Sequence, residues 1–180
     1  MGGALLAGWR RCGAFSPSDL MVLDPQPAEA ALAAYEAGAK LNPPERELAL
    51  AATVVMAVKP QIWRAVAAEI EPHLAPEATV ISILAGVEGG DLADVFGGRA
   101  VARVMPTLAS AIGKGAAAVY APGALGRRRA RELFEPLGLV IDLDGEASMH
   151  AVTAVCGSAP AYLYAFVEAL GAAAAGAGLS

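Results

Sequence analysis

Ala52-Thr53-Val54-Val55-Met56-Ala57-Val58-Lys59-Pro60-Gln61 is the stretch on which the reading of this 180-residue chain turns. Its small and β-branched apolar residues read as a strand buried on both faces. The Lys59-Pro60-Gln61 that closes it cannot continue a central strand, so the chain must turn there. In an open α/β sheet, ligands sit in the crevice outside the carboxyl ends of the strands. The turn is therefore either a place to meet a cofactor or an ordinary strand-to-helix loop with a solvated lysine.

Downstream, Ala78–Leu84 is a second buried strand, closed by Ala85-Gly86, two residues small enough to let a ligand reach backbone at the same sheet edge as Lys59 and Pro60. Ala100–Met105 is a further strand broken by Pro106-Thr107, and Ala116–Tyr120 and Leu139–Leu143 follow, with helices expected over Gln61–Ile70, Asp91–Phe96 and within Gly123–Gly138. This alternation predicts an α/β fold with a doubly wound parallel sheet. Upstream, Met1–Cys12 has helical composition with no strand before it. Asp19–Asp24 reads as a short strand ending in a carboxylate, Ala28–Ala37 as a helix stopped by Gly38, and Glu45–Ala52 as a short helix. Asp24 lies 22 positions after Gly2. That is close to the spacing at which a dinucleotide-binding βαβ unit places the acid that bonds a ribose 2′-hydroxyl. Half of the glycine fingerprint is absent, and a turn or N-cap role is the competing reading of Asp24.

From Glu146 onward strand signals cease, which divides the chain into 1–145 and 146–180. Two helical stretches are expected there, separated by Cys156-Gly157-Ser158-Ala159-Pro160. Pro160 suits a first helical turn, and Gly157-Ser158 before it either leave backbone N–H groups free as a seat for a carboxylate or form a plain cap. Ala161–Leu179 is long enough to span a membrane, but Glu168 interrupts it and no basic flank follows. It reads as a buried interface helix.

Apolar residues make up 56% of the chain and charged residues 17%, so much of it expects burial, some of it against a partner. The net charge of -5 gives no basic field for a nucleic acid backbone. Arg127-Arg128-Arg129 and Arg131, followed by Glu132 and Glu135, read as a solvated helix face. Cys12 and Cys156 stand far apart, which indicates neither a disulfide framework nor a zinc site and suits the cytoplasm; no metal is expected, and no export signal is visible.

Together these segments resemble pyrroline-5-carboxylate reductase. The resemblance rests on Met1-Gly2-Gly3-Ala4-Leu5-Leu6-Ala7-Gly8-Trp9, Val58-Lys59-Pro60-Gln61, Ser82-Ile83-Leu84-Ala85-Gly86-Val87, Arg103-Val104-Met105-Pro106 and the run from Val152 to Tyr162 that contains Gly157-Ser158-Ala159-Pro160. It implies a Rossmann-type domain followed by the start of an all-helical dimerisation domain, with NADPH or NADH as cofactor and 1-pyrroline-5-carboxylate as substrate. A homodimer or higher homo-oligomer is implied, with no nucleic acid and no membrane. By position, Gly2 is the last glycine of the cofactor fingerprint. Ala57, Val58, Lys59 and Pro60 lie along the cofactor, Ala85 and Gly86 floor the nicotinamide pocket, and Gly157 and Ser158 meet the substrate region. Related β-hydroxyacid or prephenate-type dehydrogenases carry similar strand ends. An inactive fragment that only binds nucleotide or self-associates is the other alternative.

Three departures from the family pattern bear on these expectations. The opening strand and first glycines are missing, which suggests a start assigned at an internal Met or a gene fragment. Met105-Pro106-Thr107-Leu108-Ala109 stands where the family has Met-Pro-Asn-Thr-Pro. The Ser/Thr-rich substrate loop is expected beyond Ser180, so no catalytic acid is assigned. A carboxylate at Asp24 would bond a free 2′-hydroxyl and repel a 2′-phosphate, which predicts a preference for NADH.

Overall fold

The computed structural model describes residues 1–179. In chain order the strands are β1 (Met21–Val22), β2 (Lys40–Leu41), β3 (Thr53–Met56), β4 (Thr79–Ser82), β5 (Val101–Pro106), β6 (Gly115–Tyr120) and β7 (Gly138–Asp142). The α-helices are α1 (Gly2–Cys12), α2 (Glu29–Glu36), α3 (Trp63–Ile70), α4 (Gly89–Val95), α5 (Ala124–Phe134), α6 (Ser148–Val152) and α7 (Ala159–Gly176).

Five strands form one sheet in the order β3-β4-β5-β6-β7, and β1 and β2 form a second, two-stranded sheet. β3, β4 and β5 run parallel, with Val54 opposite Val80 and Ile81 opposite Ala102. Each parallel step is bridged by a helix, as the geometry of a parallel crossover requires. β6 departs from the all-parallel expectation: it pairs antiparallel with β5, Val104 opposite Val119. Only a short 3-10 turn, Leu108–Ile112, joins the two strands, and it is too short to carry the chain back to the other end of the sheet. α5 then returns the chain, so that β7 is parallel to β6.

Alternate residues on the central strands point to opposite faces, and each face has its own core. Val80 and Val101 pack with Trp63, Ala67, Ile70, Leu92 and Phe96 of α3, α4 and the turn after α4. Ile81, Ala102 and Val104 pack with Leu5 and Trp9 of α1 and with Ala130 and Phe134 of α5. The Trp9 indole crosses Phe134 edge-on at 6.1 Å, and its Nε1 donates to the Leu133 carbonyl at 2.6 Å.

Three local expectations are corrected. β3 is an edge strand with β4 as its single neighbour among the described residues, and only its Met56 is buried, so it is not a strand buried on both faces. β2 was not foreseen; Ala39-Lys40-Leu41-Asn42 has no apolar run to announce it. At the other end of the chain, the Cys156–Pro160 run is not a break between helices. α6 passes through a π-helical turn, Thr153–Ser158, directly into α7. The Ala159 N–H is used by the Ala154 carbonyl, and Pro160 has none, so no free helix start stands at Gly157-Ser158.

No residue of α7 is buried; Tyr162, Leu163, Phe166 and Leu170 are all exposed. No helix among the described residues is long and apolar enough to cross a membrane. Arg127, Arg128, Arg129 and Arg131 lie on the outer side of α5, where Arg129 pairs with Glu132 at 2.8 Å and Arg131 with Asp142 at 2.7 Å, as the charge pattern implied.

α1 approaches the 3-10 turn Leu108–Ile112 closely because Gly8 has no side chain: a Cβ there would collide with the Ser110 carbonyl oxygen and lie 2.8 Å from Leu137 Cδ2. Gly8→Ala is expected to destabilise the fold by about 1–3 kcal/mol, as overpacking does. Thermal unfolding monitored by circular dichroism checks this, and a melting temperature equal to that of the parent would contradict it.

Candidate functional site

Because β3, β4 and β5 are parallel, the segments that leave them emerge along one edge of the sheet. After β3 come Ala57, Val58, Lys59 and Pro60, in a turn closed by Ile62 N–H donating to the Lys59 carbonyl at 3.1 Å. Lys59 and Pro60 are exposed, and Lys59 makes no ion pair among the described residues. After β4 come Ala85 and Gly86, both exposed, with Gly86 at φ +75°, a conformation that favours glycine.

The first turn of α1 reaches the same edge. A Cβ on Gly2 would meet the Ala57 Cβ at 3.4 Å, so a larger residue at position 2 would crowd the turn after β3. No acidic residue and no side-chain cap occupies the first turn of α1, and the first intrahelical bond is Leu5 N–H to the Met1 carbonyl at 3.1 Å. The N–H groups of Gly2, Gly3 and Ala4 are therefore unused by the helix and carry its positive end, which suits a phosphate.

Gly3 lies against Ala30 in the first turn of α2, its projected Cβ at 3.5 Å. That contact extends the edge toward the loop which Asp24 opens. Asp24 is half-buried; its Oδ1 accepts the Gln26 N–H at 2.9 Å, the Asx turn that its sequence context allowed. Sequence reasoning missed its partner, Asn42, which has φ +46° at the end of β2. The Asn42 amide bonds both backbone groups of Asp24: Oδ1 accepts its N–H and Nδ2 donates to its carbonyl, each at 2.9 Å. Asp24 is thus pinned through its backbone, and its Oδ2 has no hydrogen bond among the described residues.

The helical segment meets the edge at the end of β5. A Cβ on Gly157, in the π-helical turn, would touch Met105 Sδ at 3.8 Å. The Ser158 hydroxyl leans back to the Thr153 carbonyl at 3.5 Å. Thr107 is spent on its own loop: its N–H donates to the Ala116 carbonyl and its Oγ1 accepts the Ala116 N–H, both at 3.0 Å. No cluster of three His, Cys, Asp or Glu side chains able to hold a metal occurs among the described residues. Gly2, Ala57–Pro60, Ala85, Gly86, Gly157 and Ser158 therefore gather at the carboxyl ends of three parallel strands, with Asp24 reached through α1 and α2.

The same segments are matched in known proteins. A family model described as NADP oxidoreductase coenzyme F420-dependent matches residues 1–86, and one described as pyrroline-5-carboxylate reductase dimerisation matches residues 146–180. Pyrroline-5-carboxylate reductase of Escherichia coli is 32% identical over 176 residues, covering 94% of this chain and 65% of that protein. The enzyme of the same name from Pseudomonas aeruginosa is 37% identical over 121 residues, covering 65% of this chain and 44% of that protein. The chain spans about half to two thirds of the length of the curated relatives it matches. Among solved structures, Plasmodium falciparum pyrroline carboxylate reductase with NADP bound superposes with a TM-score of 0.86 at 27% identity, covering 100% of this chain and 67% of that one. With its α/β core and its helical segment both matched in order, the chain belongs to the pyrroline-5-carboxylate reductase family.

Proposed function

We propose that this strand edge binds NADPH or NADH and that the chain carries out, as part of the complete enzyme, the reduction of 1-pyrroline-5-carboxylate to L-proline. The observation that carries the reading is the meeting of Gly2 with Ala57 at the open first turn of α1: a Cβ at Gly2 would fill the space that a diphosphate needs beside free N–H groups. In this reading residues 1–145 form the cofactor domain and residues 146–180 the start of a helical dimerisation and substrate domain. The cysteine usage supports a cytoplasmic setting.

The roles follow from position. The Gly2 and Gly3 N–H groups hold the diphosphate, and Asp24 accepts from the ribose hydroxyl. Ala57, Val58 and Pro60 would line the path by backbone and apolar contact, Lys59 would supply positive charge at its rim, and Ala85 and Gly86, with little or no side chain, would receive the nicotinamide. The reduced nicotinamide, when bound, supplies the hydride that adds to the imine carbon. The protein's share is to align donor and acceptor and exclude water. Gly157, brought over Met105, and its neighbour Ser158 face the substrate side of that pocket, and the Ser158 hydroxyl would reach the carboxylate by turning from its long contact with the Thr153 carbonyl. A second reading is favoured by the unpaired outer edge of β3: a chain that binds nucleotide or self-associates without turning substrate over.

The apolar, uncovered α7 supports a homodimer or higher homo-oligomer, since an exposed stripe of that size marks an interface. Replacing both Leu163 and Phe166 by Glu is expected to shift the chain toward monomer in light scattering; an unchanged mass would contradict this. Nicotinamide fluorescence lost on adding 1-pyrroline-5-carboxylate, measured with each cofactor, tests the reaction itself, and a chain that binds nucleotide without oxidising it would favour the second reading. Asp24 is expected to favour NADH, and Asp24→Asn to lower the NADH-to-NADPH affinity ratio about tenfold, the loss of one charge-dependent contact worth roughly 1.4 kcal/mol. A ratio unmoved by the substitution would remove Asp24 from the ribose site.

A further inference from the structure

Arg103 is the one charged side chain in the buried class among the described residues, with 2% of its surface exposed, and it sits in the central strand β5. Its Nη1 donates to Glu146 Oε1 at 2.8 Å, and that same oxygen accepts the Gly89 N–H at 2.6 Å. Gly89 is the first residue of α4, and Glu146, distant in sequence, satisfies a donor that the helix leaves open. The Glu146 side chain is 29% exposed and closes over the buried guanidinium.

One carboxylate oxygen therefore joins β5, the first residue of α4 and the start of the helical segment. Each of the three leads along the chain to the candidate site. β5 ends at Met105 and Pro106, the segment before Gly89 holds Ala85 and Gly86, and the chain from Glu146 runs through α6 into the π-helical turn with Gly157 and Ser158. A charge buried in a strand has to be paired, and here the pair is placed where it also fixes two loops against each other.

We propose that Glu146 is a positioning residue: with Arg103 it locks the Ala85–Gly89 loop and the helical segment into one alignment, so that the cofactor and substrate halves of the site stay in register. The inference rests on the site proposed above and adds the residue that holds its two halves together.

Stability and positioning are separable by substitution. Glu146→Gln keeps an oxygen for the Gly89 N–H but strands the buried Arg103 charge, and is expected to lower the melting temperature. Arg103→Met with Glu146→Gln removes both charges and is expected to recover much of that loss, because no unpaired charge remains buried. The double variant still lacks the charge-assisted clasp. In the 180-residue chain, hydrogen exchange of residues 84–90 is then expected to quicken about tenfold while β4 and β5 exchange as in the parent, and NADH affinity to fall by a similar factor. Asp91→Asn, which removes the charge from the exposed pair between Asp91 of α4 and Arg64 of α3, serves as the control and is expected to leave both readouts unchanged. Loop exchange and NADH affinity equal to the parent's in the double variant would overturn the proposal. Faster loop exchange in a chain whose parent binds no NADH would uphold the clasp and overturn the cofactor reading instead.

Discussion

The parallel pairing of β3, β4 and β5 is the constraint on which the rest of the structure depends. Parallel strands need helical crossovers, crossovers cover both faces, and the strand ends are thereby delivered to one edge. Ala57–Pro60, Ala85–Gly86 and Met105–Pro106 share that edge for no other reason. Lys59 apart, none of them has a side chain suited to acid–base or nucleophilic chemistry. In the proposed reaction the hydride comes from a cofactor, so the fold's share would be a surface of small residues, a helix start and a fixed geometry.

The two faces of the sheet play different parts. The α3 and α4 face is a conventional apolar core around Trp63, Leu92 and Phe96. The α1 and α5 face carries the functional consequence, because the close approach of α1 at Gly8 and the burial of Leu5 and Trp9 bring Gly2 beside Ala57. Packing in the middle of α1 thus decides where its open N-terminal turn points.

Much of this was legible from residue types. Runs of Val, Ile and Ala ending in Lys-Pro or Ala-Gly marked the strands and their turns, and the loss of strand signals at Glu146 marked the helical segment. The edge position of β3 was not legible, since an apolar run reads the same whether one or two strands flank it. The direction of β6 could have been inferred from the short 107–114 connection, which leaves no room for a crossover. The π-helical turn was hidden behind Gly157 and Pro160, residues that ordinarily punctuate helices but here sit inside a continuous one. Asn42 and Glu146 were missed because their partners are distant in sequence. Arg103 did carry a signal: an arginine in the apolar run 100–105 had to be either exposed or paired, and the pairing identifies Glu146.

The most direct measurement is hydrogen exchange of the 180-residue chain with and without saturating NADH, resolved along the sequence. Binding at the strand edge predicts new protection in residues 2–5, 24–28, 57–61 and 83–89, with β7 and the outer face of α5 unchanged. Protection confined to other segments, or none at nucleotide concentrations that saturate the intact enzymes of the family, would contradict the assignment of this edge as the cofactor site.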